Sequence, residues 1–410
     1  MARLTVTAHP LRSRPIAALI AAQVVSSLGS QMTFLALPWF VLHTTGSPTR
    51  MSIVLAVELL PIAVLGIPSG SVVAKLGARR TMLFADLARA PLIASIPLLH
   101  ELGALSFPLL LLIVALVGVF IAPYFASQRL ILPELVGDEE RVVAQANAVV
   151  EGAQRATALL GPAAAGLLIA TFSAPVVLYV DAATFLCSFA LLALFVPSQP
   201  PVPQAEDGRG VLAGIRFLLR DRLLRVVGAT ALVANGLGQM LTAGLTVLAY
   251  EEYSSSRVAG AFFAAFGAGA VLGSIAAVRI VGRYDPLRLG ATAFVMLTLP
   301  VFALSLELPV PAVMVALAAS SFFGPLVNAP LIGVLTTRTP EALRAKVMTA
   351  VLTTAMLAGP IGMVLAGPLL ESWGPRPVFL LVAAGQLLAT IPFAVVAFRG
   401  DDVPQPVVEA

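Results

Sequence analysis

Charge is scarce in this 410-residue chain. Asp, Glu, Lys and Arg together make 11% of it, while 59% is hydrophobic; a soluble domain averages about 25% charged. That leaves too little polar surface to clothe a water-soluble fold, which excludes an ordinary soluble enzyme or binding domain. Cysteine occurs once, at Cys187, so no intramolecular disulfide can form. His9, His43 and His100 are not grouped as metal ligands, and no metal or other cofactor is expected. No Gly-x-x-x-x-Gly-Lys-Ser/Thr loop is present, so ATP does not drive the chain directly. The run Gly267 to Gly273 loosely imitates a dinucleotide loop, but it lies in an apolar stretch where small residues serve close helix packing. Lysine is rare even among basic residues, with only Lys75 and Lys346, and alanine is abundant. That composition suggests a GC-rich bacterial gene and therefore the cytoplasmic membrane.

What is abundant is apolar sequence in windows about 20 residues long, the measure of a helix crossing a hydrocarbon core roughly 30 Å thick. Twelve such spans are read at 16–42, 50–74, 80–100, 104–128, 143–170, 174–196, 223–250, 257–281, 286–307, 309–335, 343–370 and 375–398. The first follows Arg3, Arg12 and Arg14 like a secretory signal, but it is too long and lacks a small-residue cleavage site. With both termini placed in the cytoplasm, alternate loops sort the charges. The inner side collects most of the arginines, including Arg79, Arg80, Arg216, Arg220, Arg283 and Arg338; the outer side receives only Arg50, Arg257 and Arg376. This positive-inside bias holds only for an even span count. The net charge of +4 therefore reflects topology, and no nucleic-acid partner is expected.

The halves repeat. Gly70-Ser71-Val72-Val73-Ala74 in span 2 matches Gly273-Ser274-Ile275-Ala276-Ala277 in span 8 at an offset of 203. Phe120-Ile121-Ala122-Pro123 matches Phe322-Phe323-Gly324-Pro325 at 202, and Gly161-Pro162 matches Gly359-Pro360 at 198. The expected fold is an all-α integral membrane protein of twelve transmembrane helices in two pseudo-symmetric six-helix bundles, 1–196 and 223–410. A proline-rich cytoplasmic linker, 197–222, joins them, and Ile215 to Leu224 reads as a short amphipathic helix on the inner leaflet.

Polar groups inside the spans are the candidates for function. Span 1 carries Gln23, Ser27, Ser30 and Phe34 on one stripe, flanked by Gln31, and span 7 carries Asn235, Gln239, Thr242 and Thr246 at the same spacing. Amides in hydrocarbon need partners. These stripes therefore either hydrogen-bond neighbouring helices or line a watery cavity at the axis between the halves, where such folds bind their ligands. Tyr124 of span 4 and Asn328 of span 10 complete the expected substrate surface.

Ionisable residues within spans are rarer and more informative. Glu58 in span 2 has no basic residue at i±3 or i±4 and is the leading candidate for a protonatable coupling group; the alternative is a protonated acid bonded to a neighbouring helix. Glu151 and Arg155 form an i, i+4 pair in span 5, either a proton- or substrate-sensitive switch or a self-neutralised pair. Asp86 and Arg89 in span 3, with Lys75, Arg79 and Arg80 nearby, read as a gating salt-bridge cluster. Asp181 in span 6 reads as a hydrogen-bonded structural acid.

The stretch Gly70-Ser71-Val72-Val73-Ala74-Lys75-Leu76-Gly77-Ala78-Arg79-Arg80 resembles the loop 2–3 signature of the major facilitator superfamily, Gly-x-x-x-Asp-Arg/Lys-x-Gly-Arg-Arg/Lys. The glycines and basic residues match. The acidic position is Ala74, so the latch that this acid makes in the family is missing or is supplied by Asp86. Leu37-Pro38-Trp39, Thr45-Gly46-Ser47, Leu132-Pro133-Glu134-Leu135-Val136 and Gln145-Ala146-Asn147-Ala148 look like the branch holding macrolide-efflux proteins and the enterobactin exporter. Gly161-Pro162-Ala163-Ala164-Ala165-Gly166 is similar to the family's antiporter signature, with Ala165 in place of one glycine.

The resemblance implies a monomeric secondary transporter, not an enzyme, that exports small molecules by rocker-switch alternating access driven by proton entry. It also implies gating roles for Gly70, Lys75, Gly77, Arg79, Gly161 and Pro162. Few, mostly neutral cavity residues suit a hydrophobic or amphipathic substrate, drug-like or siderophore-like, better than a sugar. Competing expectations are proton-coupled solute uptake and a lipid-translocating or membrane-scaffold protein.

Overall fold

The computed structural model describes residues 13–66, 68–136, 140–198 and 216–399. Arg3, Arg12 and most of the expected linker, 199–215, lie outside the described residues, as do the side chains of Glu134 and Lys346. Among the described residues all regular structure is helical. The first half contains α1 (Arg14–Thr45), α2 (Pro48–Leu65), α3 (Ser69–Leu76), α4 (Ala78–Glu101), α5 (Phe107–Val136), α6 (Glu140–Thr171) and α7 (Ala174–Phe195). The second contains α8 (Arg222–Glu251), α9 (Ser256–Ile280), α10 (Pro286–Ala303), α11 (Val310–Phe322), α12 (Gly324–Arg338), α13 (Glu341–Trp373) and α14 (Pro375–Arg399).

Eleven stretches among the described residues are long and apolar enough to cross a membrane. The twelfth expected span corresponds to α6, whose first half carries Asn147, Glu151, Gln154 and Arg155. Spans 2 and 10 are each divided. Span 2 breaks between α2 and α3 around Gly66 and Pro68, where the Ser69 and Ser71 hydroxyls donate to the freed carbonyls of Gly66 (2.7 Å) and Pro68 (2.8 Å). Span 10 breaks between Phe322 and Gly324. The chain also stays helical past the expected end of span 4, to Val136.

The expected helix over 215–224 is corrected to two pieces, because Asp221 stops one and starts the next. A short helical segment covers 216–220. The Asp221 carboxylate then accepts from the Leu224 amide at 2.9 Å and caps α8. Phe217 and Leu218 pack against Leu224, Leu335 and Val347, so that part of the segment's apolar surface is already covered by protein.

The chain divides into two compact units, Met1–Phe40 with Val57–Glu206, and Val41–Ala56 with Asp207–Ala410. In the first, α4 packs on α5 and α7, and α1 bonds to α6 and α7 through Ser27–Thr157 and Thr33–Asp181. In the second, α10 packs on α11, α12 and α14, while α8 packs on α13 and α14. Spans 1 and 3 of each half thus choose corresponding neighbours, which is the packing counterpart of the sequence repeat. Within the second unit, Glu371 of α13 accepts from the Ser47 hydroxyl (2.8 Å) and the Thr49 amide (3.1 Å), a carboxylate cap on the first turn of α2. Arg376 and Glu252 make a bidentate ion pair in that unit. Both side chains are partly exposed, so Arg376→Ala is expected to cost no more than about 1 kcal/mol, read as a small change in thermal unfolding in detergent.

Candidate functional site

The polar stripe of α1 is divided between packing and an unmet demand. Ser27 shares a 2.8 Å hydrogen bond with Thr157 of α6, and the Ser30 hydroxyl donates to the Ser26 carbonyl at 3.0 Å. A Cβ at Gly161 would sit 2.4 Å from the Gln31 Cβ, so α1 and α6 cross there at glycine distance. Gln23 is buried, yet neither amide atom finds a partner. It lines a narrow gap with Ile20, Val24, Val150, Ala153 and Gln154. Phe34 stays exposed. On α8, Asn235 is exposed, Gln239 half-buried and Thr246 buried, and the Thr242 hydroxyl returns to the Gly238 carbonyl at 3.1 Å. Asn328 is exposed on α12.

Around the loop 2–3 segment, Gly77 adopts φ +82 between α3 and α4, a conformation side chains disfavour, and its amide bonds to the Val73 carbonyl. Arg79 donates to the Leu192 and Ala193 carbonyls at 3.3 and 2.9 Å, closing the C-terminal turn of α7. Lys75 is exposed, and Gly70 faces open space. The expected cluster of these residues with Asp86 and Arg89 is divided in the structure, because Arg79 is committed to α7 and the Asp86–Arg89 pair lies in the core. Gly161 and Pro162 sit inside the unbroken α6.

Among the described residues, the charged side chains that are fully buried are Asp86, Arg89 and Asp181, all in the first unit. Arg89 donates to Asp86 Oδ1 at 2.6 Å, and Ser188 of α7 donates to Oδ2 at 2.6 Å. The guanidinium lies between the rings of Tyr124 (4.3 Å) and Phe185 (4.2 Å), fixed by cation–π contacts. Tyr124 is therefore buried in this node. Asp181 Oδ2 accepts from Thr33 of α1 at 2.5 Å, and Thr184 lies 3.2 Å from Oδ1. Glu58 is half-buried, makes no hydrogen bond or ion pair among the described residues, and is close enough to Asp181 for their charges to interact. Glu151 and Arg155 do pair, at 3.3 Å, but both are exposed.

Sequence reading missed this concentration of charge. On its own helix face Asp181 has only Thr184 and Ser188 as polar neighbours, and its partner on α1, Thr33, is remote in sequence.

Comparison with known proteins fits this architecture. The chain is 28% identical over 386 residues to the multidrug efflux pump Tap of Mycolicibacterium fortuitum, covering 91% of this chain and 93% of that one. It is 30% identical over 227 residues to the enterobactin exporter EntS of Escherichia coli, covering 52% and 51%. Among solved structures, the nucleoside transporter NupG superposes with a TM-score of 0.76 at 11% identity, over 93% of this chain and 98% of that one. A bacterial homolog of the human lysosomal transporter Spinster gives 0.74 at 13% identity, over 93% and 96%. At such identity the structural likenesses establish the fold alone. The Major Facilitator Superfamily itself matches residues 19–306 and 228–410. With eleven membrane-length apolar helical stretches among the described residues and family matches along nearly its whole length, this multi-pass membrane chain belongs to the Major Facilitator Superfamily of small-molecule transporters.

Proposed function

We propose that the protein is a monomeric, proton-coupled exporter of hydrophobic or amphipathic small molecules. It works in a bacterial cytoplasmic membrane by alternating access of its two halves, 1–196 and 223–410, with both termini cytoplasmic. One observation carries the proton coupling: the first unit withdraws acidic groups into its helices, and Glu58 among them has no cation bonded to it. Charging or neutralising such a group changes the free energy of a packed state by far more than an exposed carboxylate would, so proton occupancy can bias one of two packings. Glu151 is the weaker coupling candidate because its charge is balanced by Arg155 and exposed. Support for export of amphipathic compounds comes from the relatives' names and from the mostly neutral stripes on α1 and α8.

The test is uptake of amphipathic dyes, ethidium among them, into inverted vesicles with an acidified interior. Wild type is expected to accumulate dye. Glu58→Gln is expected to lose the pH-driven component, on the order of tenfold or more, while Glu151→Gln keeps most of it. No pH-driven transport of any drug-like or siderophore compound by wild type would end this reading, and accumulation in right-side-out vesicles would replace it with uptake.

A further inference from the structure

We propose that Asp181 is a proton-binding site of this carrier, cradled by the Thr33 and Thr184 hydroxyls. The proposal deepens the proton-coupled reading above and rests on it for its role in transport.

Proton accounting within the site carries the argument. Thr184 has one hydroxyl hydrogen and two acceptors in reach: the Asp181 backbone carbonyl at 2.7 Å and Asp181 Oδ1 at 3.2 Å. The shorter, better contact takes the larger share of the hydrogen. Oδ1 then receives the minor share of that hydrogen, whereas a proton on Oδ1 would give it a full bond to the Thr184 oxygen. Oδ2 is already served by Thr33 at 2.5 Å. Protonated Asp181 therefore satisfies the polar atoms of the site more fully than ionised Asp181.

Among the described residues no cation is bonded to Asp181, and little of it meets solvent. Asp181 is 1% exposed. The backbone of α1 seals the site at Gly29, where a Cβ would lie 2.0 Å from Thr184 Oγ1 and 2.3 Å from Asp181 Oδ1. Arg89, the buried cation of the unit, is bonded to Asp86 and held between two rings, which separates the roles of these acids: Asp86 has an ion pair, whereas Asp181 is bonded by hydroxyls and feels the Arg89 charge only from a distance. The ionisable groups of the surrounding elements are few. Helix α2 supplies Glu58, α4 supplies Asp86 and Arg89, and α5 supplies Tyr124. On α1, Arg14 and His43 lie near the two ends, and on α6 Glu151 and Arg155 are exposed.

The experiment is infrared difference spectroscopy of purified protein in lipid, stepping pH across the physiological range. Wild type is expected to show a protonated-carboxyl C=O band that Asp181→Asn removes. Thr33→Val keeps the carboxyl but deletes one hydrogen bond, so it is expected to shift that band to higher frequency. In inverted vesicles Asp181→Asn is expected to lose pH-driven ethidium uptake by tenfold or more while energy-independent counterflow persists. A band unchanged in Asp181→Asn, or absent from wild type, overturns the proposal. If Asp181→Asn does not accumulate, Thr33→Val decides: an unmoved band overturns the proposal and a shifted one supports it. A wild-type band that behaves as expected, without pH-driven transport of any compound, would retain the site and refute proton-coupled export instead.

Discussion

Arg89→Leu is expected to abolish accumulation of folded protein, and the D86N/R89L double variant to recover a large part of it. The single change leaves the Asp86 carboxylate in the core with hydroxyl partners alone, Ser188 at 2.6 Å and Ser26. Breaking a buried ion pair by removing one partner costs about 3–5 kcal/mol. That is a large fraction of the roughly 5–15 kcal/mol by which folded domains are stable. Removing both charges takes away the uncompensated carboxylate, and an apolar side chain can still fill the slot between Tyr124 and Phe185. The readout is the monodisperse fraction of detergent-extracted protein on size-exclusion chromatography, with thermal unfolding of whatever survives. A single variant as abundant and as stable as wild type would show that the node is solvated and that the ion pair contributes little to folding.

The second large effect separates two glycines that the sequence repeat makes equivalent. Gly273→Val is expected to prevent folding, whereas Gly70→Val leaves the yield of folded protein within about twofold of wild type. At Gly273 an added Cβ would meet the Phe322 carbonyl oxygen at 1.9 Å and its carbon at 2.7 Å, so α9 would have to move bodily off the neighbouring helix. Overpacking a site that can relax costs about 1–3 kcal/mol, and a clash with another helix's backbone exceeds that. At Gly70 no atom lies within 4 Å of the added carbon. Any loss in Gly70→Val would therefore appear in transport rather than in stability, as expected of a residue in the family's loop 2–3 signature. Equal yields of the two valine variants would contradict the packing described here.

Much of the architecture was legible because hydropathy and charge both report on the membrane. Apolar helices recur at membrane-crossing length because hydrocarbon is the solvent the chain must satisfy. Helix continuity was less legible. Pro162 and Pro360 follow glycines inside unbroken helices, whereas Gly66 with Pro68, and Gly324 with Pro325, accompany breaks. Local sequence hardly distinguishes them, but the surroundings do. Gly161 is clamped against Gln31, while Gly324 has nothing within 4 Å and Gly66 meets only its own helix. A neighbouring helix holds the chain straight where the intrinsic preference is to bend.

The candidate site divides along the same line. Asp86–Arg89 and Glu151–Arg155 were visible as pairs because their partners share a helix. That one pair is buried and the other exposed is a fact about the surrounding helices, and so is the setting of Asp181, whose Thr33 partner lies 148 residues away. Gln23 was read as half of a choice between packing and cavity, and its unpartnered amide beside the α1–α6 gap keeps it distinct from Ser27 and Gln31, which are engaged in packing.

The placement of Arg89 three residues after Asp86 has a consequence for biogenesis. A charged side chain at the centre of a span opposes insertion by about 2.5–3.5 kcal/mol. Helix α4 can close its ion pair as soon as one turn has formed, and so it enters the bilayer nearly neutral before any neighbour arrives. Helix α7 has no basic residue for Asp181, and the basic residue of α2, Arg50, stands at the opposite end of that helix's first two turns from Glu58. For α7, however, order of synthesis supplies the remedy: α1, with Thr33, is already in the membrane when α7 emerges, so a proton-carrying Asp181 is received by a waiting hydroxyl.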